Sequence, residues 1–176
     1  MNIETMERFF ATLSVLAGAG AIAVMIGRFV PAASAIMEPV RQYALWLAAI
    51  VTTVATLGSL YFSEVEHLRP CRLCWFQRTM MYPLAVVLVI AAVRRDRGVR
   101  PYALVLAGIG AVVSTYHYLI EWNVVHEGGA CDPTNPCNAL PFDRQYGFIS
   151  LAFMALAGFA FVISILTLRP PAGEPS

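Results

Sequence analysis

Charge is what this sequence has least of. Charged residues are 13% of its 176, while hydrophobic residues reach 59%; an ordinary soluble domain carries roughly 25% charged residues. A mean hydropathy of +0.66 points the same way. The scarcity excludes a soluble domain and leaves an integral membrane protein, built as one bundle. Lysine is absent altogether: all 12 basic residues are arginine, a bias with no physical account in the chain. With a net charge of +1 and no basic tail, nothing suits a nucleic acid. No polar face repeats at period two, which speaks against a β-barrel. The leader, residues 1–8, is acidic at Glu4 and Glu7 where a cleaved signal peptide would begin basic. The first apolar run is therefore expected to stay as an anchor or bundle filler.

What the sequence does hold is five apolar runs. A helix needs about 20 mainly apolar residues to cross a hydrocarbon core of roughly 30 Å. Residues 9–27, 42–63, 74–93, 101–120 and 145–168 qualify, with Arg78 and His117 as their polar intrusions. Glycines such as Gly18, Gly58, Gly110 and Gly158 suit close helix packing in lipid. Breakers separate the runs: Pro31 to Pro39, Pro70, Pro101, then Pro133, Pro136 and Pro141, and finally Pro170 and Pro171. Pro83, inside the third run, predicts a kink unless its neighbours satisfy the freed backbone. Most of the tryptophans and tyrosines near run ends, Trp46, Trp75, Trp122 and Tyr118 among them, read as an aromatic belt.

The turn over residues 94–100 holds four arginines, the strongest positive-inside signal in the chain. Placed in the cytoplasm, it fixes the other loops by alternation. Seven arginines against three acids then leave +4 inside, and five against eight leave −3 outside. The predicted topology has the N-terminus outside, the C-terminus inside, and every cysteine at the outer surface.

The four cysteines fall in two close pairs. Cys71 and Cys74 stand three apart at the start of the third run. Unsatisfied N–H groups and the positive dipole end favour a thiolate there, the form that attacks a disulfide or a quinone. A bridge between residues so close would close almost no loop and add little stability, so a redox role outweighs a structural staple. Cys131 and Cys137 bracket a turn-rich segment in a polar loop, where the two sulfurs can meet. That bridge is expected to be exposed and labile. Two close pairs can also make a zinc site, but an oxidising compartment disfavours four free thiols, and no metal is expected. Haem attachment needs a histidine where this chain has Trp75.

Arg78 lies four residues after Cys74 and seven after Cys71, so all three share one helical face. An arginine inside a bilayer is costly without a partner or a function. It either snorkels to the surface or stabilises a Cys74 thiolate and hydrogen-bonds a quinone carbonyl, with Gln77 as a further donor. His117 ends the fourth run at the same level. It is either an interface residue or a proton-delivering, quinone-contacting one, and Glu121 one turn on can pair with it.

The combined pattern resembles the DsbB family of disulfide-forming membrane oxidoreductases, most closely its short-loop, BdbC-like branch. Gly58-Ser59-Leu60-Tyr61-Phe62-Ser63-Glu64-Val65 leads to Pro70-Cys71-x-x-Cys74-Trp75-x-Gln77-Arg78 and Met81-Tyr82-Pro83-Leu84. His117-Tyr118-Leu119, Pro136-Cys137 and Gly147-Phe148-Ile149 follow in order. The resemblance covers about residues 41–168 and implies an all-α, four-helix membrane bundle in a bacterial cytoplasmic (inner) membrane. It implies that Cys131–Cys137 exchanges with a DsbA- or BdbD-like thioredoxin-fold oxidase, and that Cys71–Cys74 faces a quinone, ubiquinone or menaquinone. Arg78 matches the family's quinone-site arginine, and His117 approximately matches a histidine near the quinone. The chain departs from the family in two ways. Residues 1–40 add an N-terminal helix and linker, and the second cysteine pair is only six residues apart. Residues 169–176 read as a cytoplasmic tail. The rival readings are an enzyme like vitamin K epoxide reductase, or a non-enzymatic metal-binding or assembly protein of the membrane.

Overall fold

A computed structural model describes residues 3–30, 33–132, 134–138 and 144–168. Six α-helices account for most of it: α1 (Ile3–Gly27), α2 (Ser34–Gln42), α3 (Ala44–Leu60), α4 (Arg72–Arg94), α5 (Arg100–Glu121) and α6 (Leu151–Leu166). A π-helical turn, Tyr61–Val65, prolongs α3, and a 3₁₀ turn, Arg97–Val99, leads into α5. Among the described residues there is no strand, only the isolated bridges Asp132–Asn135 and Gln145–Ile149. Four of the helical stretches are long and apolar enough to cross a membrane, and α6, with 16 residues, is shorter. The fold is the expected all-α membrane bundle with one additional N-terminal helix.

Local chemistry sets the ends of the helices. The sulfur of Cys71 caps α4 by accepting the Cys74 N–H at 3.3 Å. At the other end Arg95 takes a left-handed conformation, φ 56°, and Asp96 N–H reaches back to the Ala91 carbonyl at 2.9 Å. Asp96 then accepts the Gly98 N–H at 2.9 Å, and Pro101 opens α5 where its missing N–H costs nothing. This makes the arginine-rich turn short and tight. The helix α4 runs through Pro83 without a break in its assignment.

The first two runs are separate, as expected, and between them Ser34–Gln42 is a short helix with Pro39 inside it. Its Tyr43 N–H bonds the Pro39 carbonyl at 3.0 Å, so the helix closes beyond the proline. The fifth run, expected over 145–168, becomes helical only at Leu151. Before it, Gln145 and Ile149 exchange backbone hydrogen bonds at 3.0 and 2.9 Å around Tyr146 and Gly147, both at positive φ. Ser150 then caps α6, accepting the Phe153 N–H at 3.3 Å. The expected breakers Pro31, Pro133, Pro141, Pro170 and Pro171, and the tail over 169–176, lie outside the described residues.

The helices α3, α4, α5 and α6 pack around one core that includes Ala48, Leu84, Leu88, Ala107, Phe159 and Val162, all fully buried. Lipid is as apolar as these side chains, so close packing rather than the hydrophobic effect holds such helices together. Gly110 shows how close: the Phe159 ring lies where a Cβ on Gly110 would be. Large apolar side chains such as Ile22, Val86, Val105 and Val112 point outward, as lipid-facing residues must. The helix α1 lies against α6. Its first turns are tied to the segment before α6, where Gln145 donates to Glu7 at 3.2 Å and the Thr12 and Tyr146 hydroxyls meet at 3.2 Å.

Candidate functional site

The site forms where the start of α4 meets the end of α5. As the residue capping α4, Cys71 has an extended backbone, φ −69° and ψ 172°, which turns its sulfur back over the first helical turn. That puts it 2.8 Å from the Cys74 sulfur. The Cys71 thiol is lowered to about 4 from its ordinary 9.0. The hydrogen bond from the Cys74 thiol is the main cause, burial opposes it, and the hydrogen bond and charge of His117 add to the lowering. The shift favours the thiolate at Cys71, the sulfur at the helix N-terminus, rather than at Cys74 where it was expected.

His117 joins the two cysteine pairs. Its Nε2 lies 3.6 Å from the Cys71 sulfur and 3.2 Å from the Cys137 carbonyl oxygen. Its Nδ1 lies 3.3 Å from the Gln77 amide nitrogen, which has hydrogens to donate. Both ring nitrogens thus have partners, Nδ1 the Gln77 amide in either of its orientations and Nε2 the Cys71 sulfur and the Cys137 carbonyl. Glu121, one turn along α5, places Oε1 3.8 Å from the same Nε2 and takes a very short hydrogen bond from the Ser150 hydroxyl. All of these groups are nearly inaccessible: His117 is 3% exposed, Glu121 5% and Gln77 7%. Buried polar groups need such partners, since each unpaired one costs about 1–3 kcal/mol.

Cys131 and Cys137 form a disulfide with a Cα–Cα distance of 5.8 Å, while Cys71 and Cys74 are free thiols. The bridge is not exposed as expected: Cys131 is 7% and Cys137 2% accessible. The polar loop folds it against Leu73 and Ile120 with Cys71, and Asn135 pins the loop by donating to the Pro70 carbonyl at 3.2 Å. The loop itself is turned by Asp132, whose carboxylate accepts from Thr134 N–H and hydroxyl at 2.8 and 2.7 Å and is held below its ordinary acidity range by them.

Beside the thiols opens a cavity of about 530 Å³. Cys71, Cys74, Gln77, Arg78 and His117 line its polar end, and side chains such as Ile50, Val54, Met154 and Phe161 line the rest. Arg78 is half-buried there. Its Nη2 donates to the Ser59 carbonyl at 3.2 Å, and its guanidinium lies 5.4 Å from the centre of the Trp75 ring. The Tyr82 hydroxyl donates to Ser59 Oγ at 3.1 Å and braces the same wall. A cavity of this size with few polar groups at one end suits a flat, mostly apolar ligand with hydrogen-bond acceptors. A quinone fits that description.

The sulfurs of Cys71 and Cys74 and a nitrogen of His117 all lie within 4.8 Å of one another, a grouping that also holds metals. Two thiolates on a tetrahedral zinc would stand about 3.8 Å apart, given a Zn–S bond of roughly 2.3 Å. The two sulfurs here stand 2.8 Å apart, closer than that.

The sequence-derived candidates therefore gather at one place: Cys71, Cys74, Gln77 and His117 directly, Cys137 through His117, Cys131 through its bridge, and Arg78 as a lining residue of the same cavity. Ser150 was missed. Its only sequence signal is a serine just before an apolar run, the mark of a helix cap.

Comparison with known proteins gives a consistent family. The family model described as disulfide bond formation protein DsbB matches residues 41–168. A "Probable disulfide formation protein" of Oceanobacillus iheyensis is 42% identical over 129 residues, 71% of this chain and 86% of its own length. "Disulfide bond formation protein C" of Bacillus subtilis is 42% identical over 128 residues, covering 72% of this chain and 89% of that protein. A "Probable disulfide formation protein" of Deinococcus radiodurans is 38% identical over 135 residues, 72% and 88% of the two chains. No solved structure matches.

Proposed function

The chain belongs to the DsbB family of disulfide bond formation proteins, and on that premise we propose that it is a protein-dithiol:quinone oxidoreductase of the membrane. A thioredoxin-fold partner of DsbA or BdbD type is its electron donor. The partner's thiolate attacks the Cys131–Cys137 disulfide, and the mixed disulfide resolves to an oxidised partner and a reduced Cys131 and Cys137. That pair in turn reduces a Cys71–Cys74 disulfide. The two electrons and two protons of the Cys71–Cys74 dithiol pass to a membrane quinone, leaving a disulfide and a quinol.

One observation carries this reading: a single buried imidazole touches the Cys71 sulfur and the Cys137 backbone, at the polar end of an apolar cavity. Thiol exchange needs a thiolate and a place for its proton. Cys71 supplies the first, and the second is the His117 Nε2 when the ring's own proton sits on Nδ1 and is donated to the Gln77 carbonyl. Gln77 suits both states of the ring, because its NH₂ donates to a bare Nδ1 and its carbonyl, turned over, accepts from a protonated one. Arg78 and Gln77 hold donors at the cavity's polar end for a quinone oxygen. The orientation that accompanies the proposal puts both cysteine pairs outside the cytoplasm, resting on the four arginines of residues 94–100.

The test is quinone reduction by the purified protein in detergent with a reduced thioredoxin-fold oxidase as donor. Turnover that needs donor, quinone and all four cysteines supports the proposal. Thiol oxidation that proceeds without quinone overturns it.

A further inference from the structure

The match to the family begins at residue 41, so α1 lies wholly outside it. Yet α1 is part of the cavity. Phe10, Leu13 and Ala17 line it from one side, facing Ile50 and Val54 of α3. The placement is built in at several points. A Cβ on Gly58 would lie 2.6 Å from the Phe10 ring, so α3 admits that ring only because it has glycine there. Phe10 stacks edge-on against Phe62 at 5.6 Å, and Glu7 and Thr12 hold the same end of α1 to Gln145 and Tyr146. The polar end of the cavity lies at Cys74 and Arg78, and its lining continues along α6 from Leu151 to Phe161. Ten residues of helix are about 15 Å. That depth exceeds what a ring at the polar end occupies, and the rest of the lining is mostly apolar, with Ser14 among its few polar side chains.

We infer that α1 is the wall that binds the first part of the quinone's isoprenoid tail, so that this added helix sets the enzyme's preference for tailed over tail-less quinones. The inference rests on the quinone reading given above. With its ring held at Arg78 and Gln77, the ligand directs its tail down the bundle between α1 and α3. There Leu13 and Ala17 contribute close van der Waals contact with the tail. The rival occupant of the same hydrocarbon slot is a phospholipid acyl chain.

Two measurements test it on the full-length protein. The first uses a quinone carrying a photoreactive diazirine on its tail, followed by tryptic digestion. The expected label falls on the peptide 9–28, released by cleavage after Arg8 and Arg28, and excess unlabelled tailed quinone abolishes it. The second compares KM for a tailed quinone and for a tail-less benzoquinone. Leu13→Trp is expected to raise the ratio of the two at least fivefold, and the smaller Ala17→Leu about twofold. Ile22→Trp, on the outward face of α1 at an exposed position, is expected to leave the ratio unchanged. Label confined to α3 and α6, or a ratio within its original value in both α1 variants, overturns the assignment while quinone reduction itself stands. Label displaced by phospholipid but not by quinone overturns it in favour of an acyl chain. If the unaltered protein reduces neither quinone, the proposed function falls and this inference with it.

Discussion

Replacing His117 with alanine isolates the contribution of the imidazole to the chemistry of the first cysteine pair. Cys71 is held at about 4 instead of 9.0. At pH 7 the thiolate is then favoured by about three units, roughly 4 kcal/mol at 1.36 kcal/mol per unit. Only the reduced pair contains that thiolate, so the stabilisation goes entirely to the dithiol form. It raises the reduction potential of the Cys71–Cys74 couple by about 90 mV, at roughly 30 mV per 1.4 kcal/mol for two electrons. His117 supplies part of this through a hydrogen bond and a charge, and the loss of such a neighbour is worth about 1–3 units. The Cys74 hydrogen bond, the larger cause, stays in the variant. His117→Ala is therefore expected to lower the potential by about 30 mV or more, but by less than the full ~90 mV. The sign in pH follows from the depressed value. Alkylation of Cys71 depends on thiolate, so it is constant at neutral pH and falls only as pH drops through about 4. In the variant the fall moves to higher pH. The assays are equilibration with a glutathione redox buffer and the alkylation rate of Cys71 against pH, read by mass spectrometry. A potential and a midpoint both unchanged in His117→Ala would refute the claim that the imidazole tunes this pair.

Four further outcomes are expected. Arg78→Lys keeps a charge but loses the planar fork that reaches Ser59 and the cavity; KM for quinone should rise severalfold while thiol exchange between the cysteine pairs stays nearly intact, and unchanged quinone kinetics in Arg78→Met would reduce Arg78 to a surface anchor. Cys137→Ser should trap a mixed disulfide between Cys131 and the thioredoxin-fold partner, visible on a non-reducing gel; an adduct through Cys71 in the intact protein would reverse the proposed order. Gly110→Ala should cost about 1–3 kcal/mol of stability, because the new methyl meets the Phe159 ring, and thermal unfolding in detergent reads this. In reduced intact cells a membrane-impermeant thiol reagent should label cysteines of both pairs, and labelling only after permeabilisation would invert the orientation.

The sequence by itself determined the membrane, the helices and the close approach of the first cysteine pair. Hydropathy over some twenty residues is a local quantity, so the runs that became α1, α3, α4 and α5 were legible from composition alone. Equally local is the start of α4. A cysteine before the first helical turn and another three residues on are brought together by helix geometry, whatever else the chain does. Where contacts come from distant residues, the sequence was silent or misleading. The polarity of the second loop suggested an exposed bridge, but Cys131 and Cys137 are buried because the loop folds onto Leu73 and Ile120 from two other helices. The run over 145–168 looked like one helix. Backbone bonds between Gln145 and Ile149 consume its first turn, and the Ser150 cap that follows is also a partner of Glu121. His117 was legible as a histidine near a helix end. That it touches both cysteine pairs was not, since this depends on how α4, α5 and the loop are assembled. The place of α1 was least legible of all. Its sequence is a plain apolar run, and only packing against α6, with Phe10 seated on Gly58, makes it a wall of the cavity. Short-range geometry is written in neighbouring residues; a cavity wall is a relation between helices far apart in the chain, and only the tertiary structure decides it.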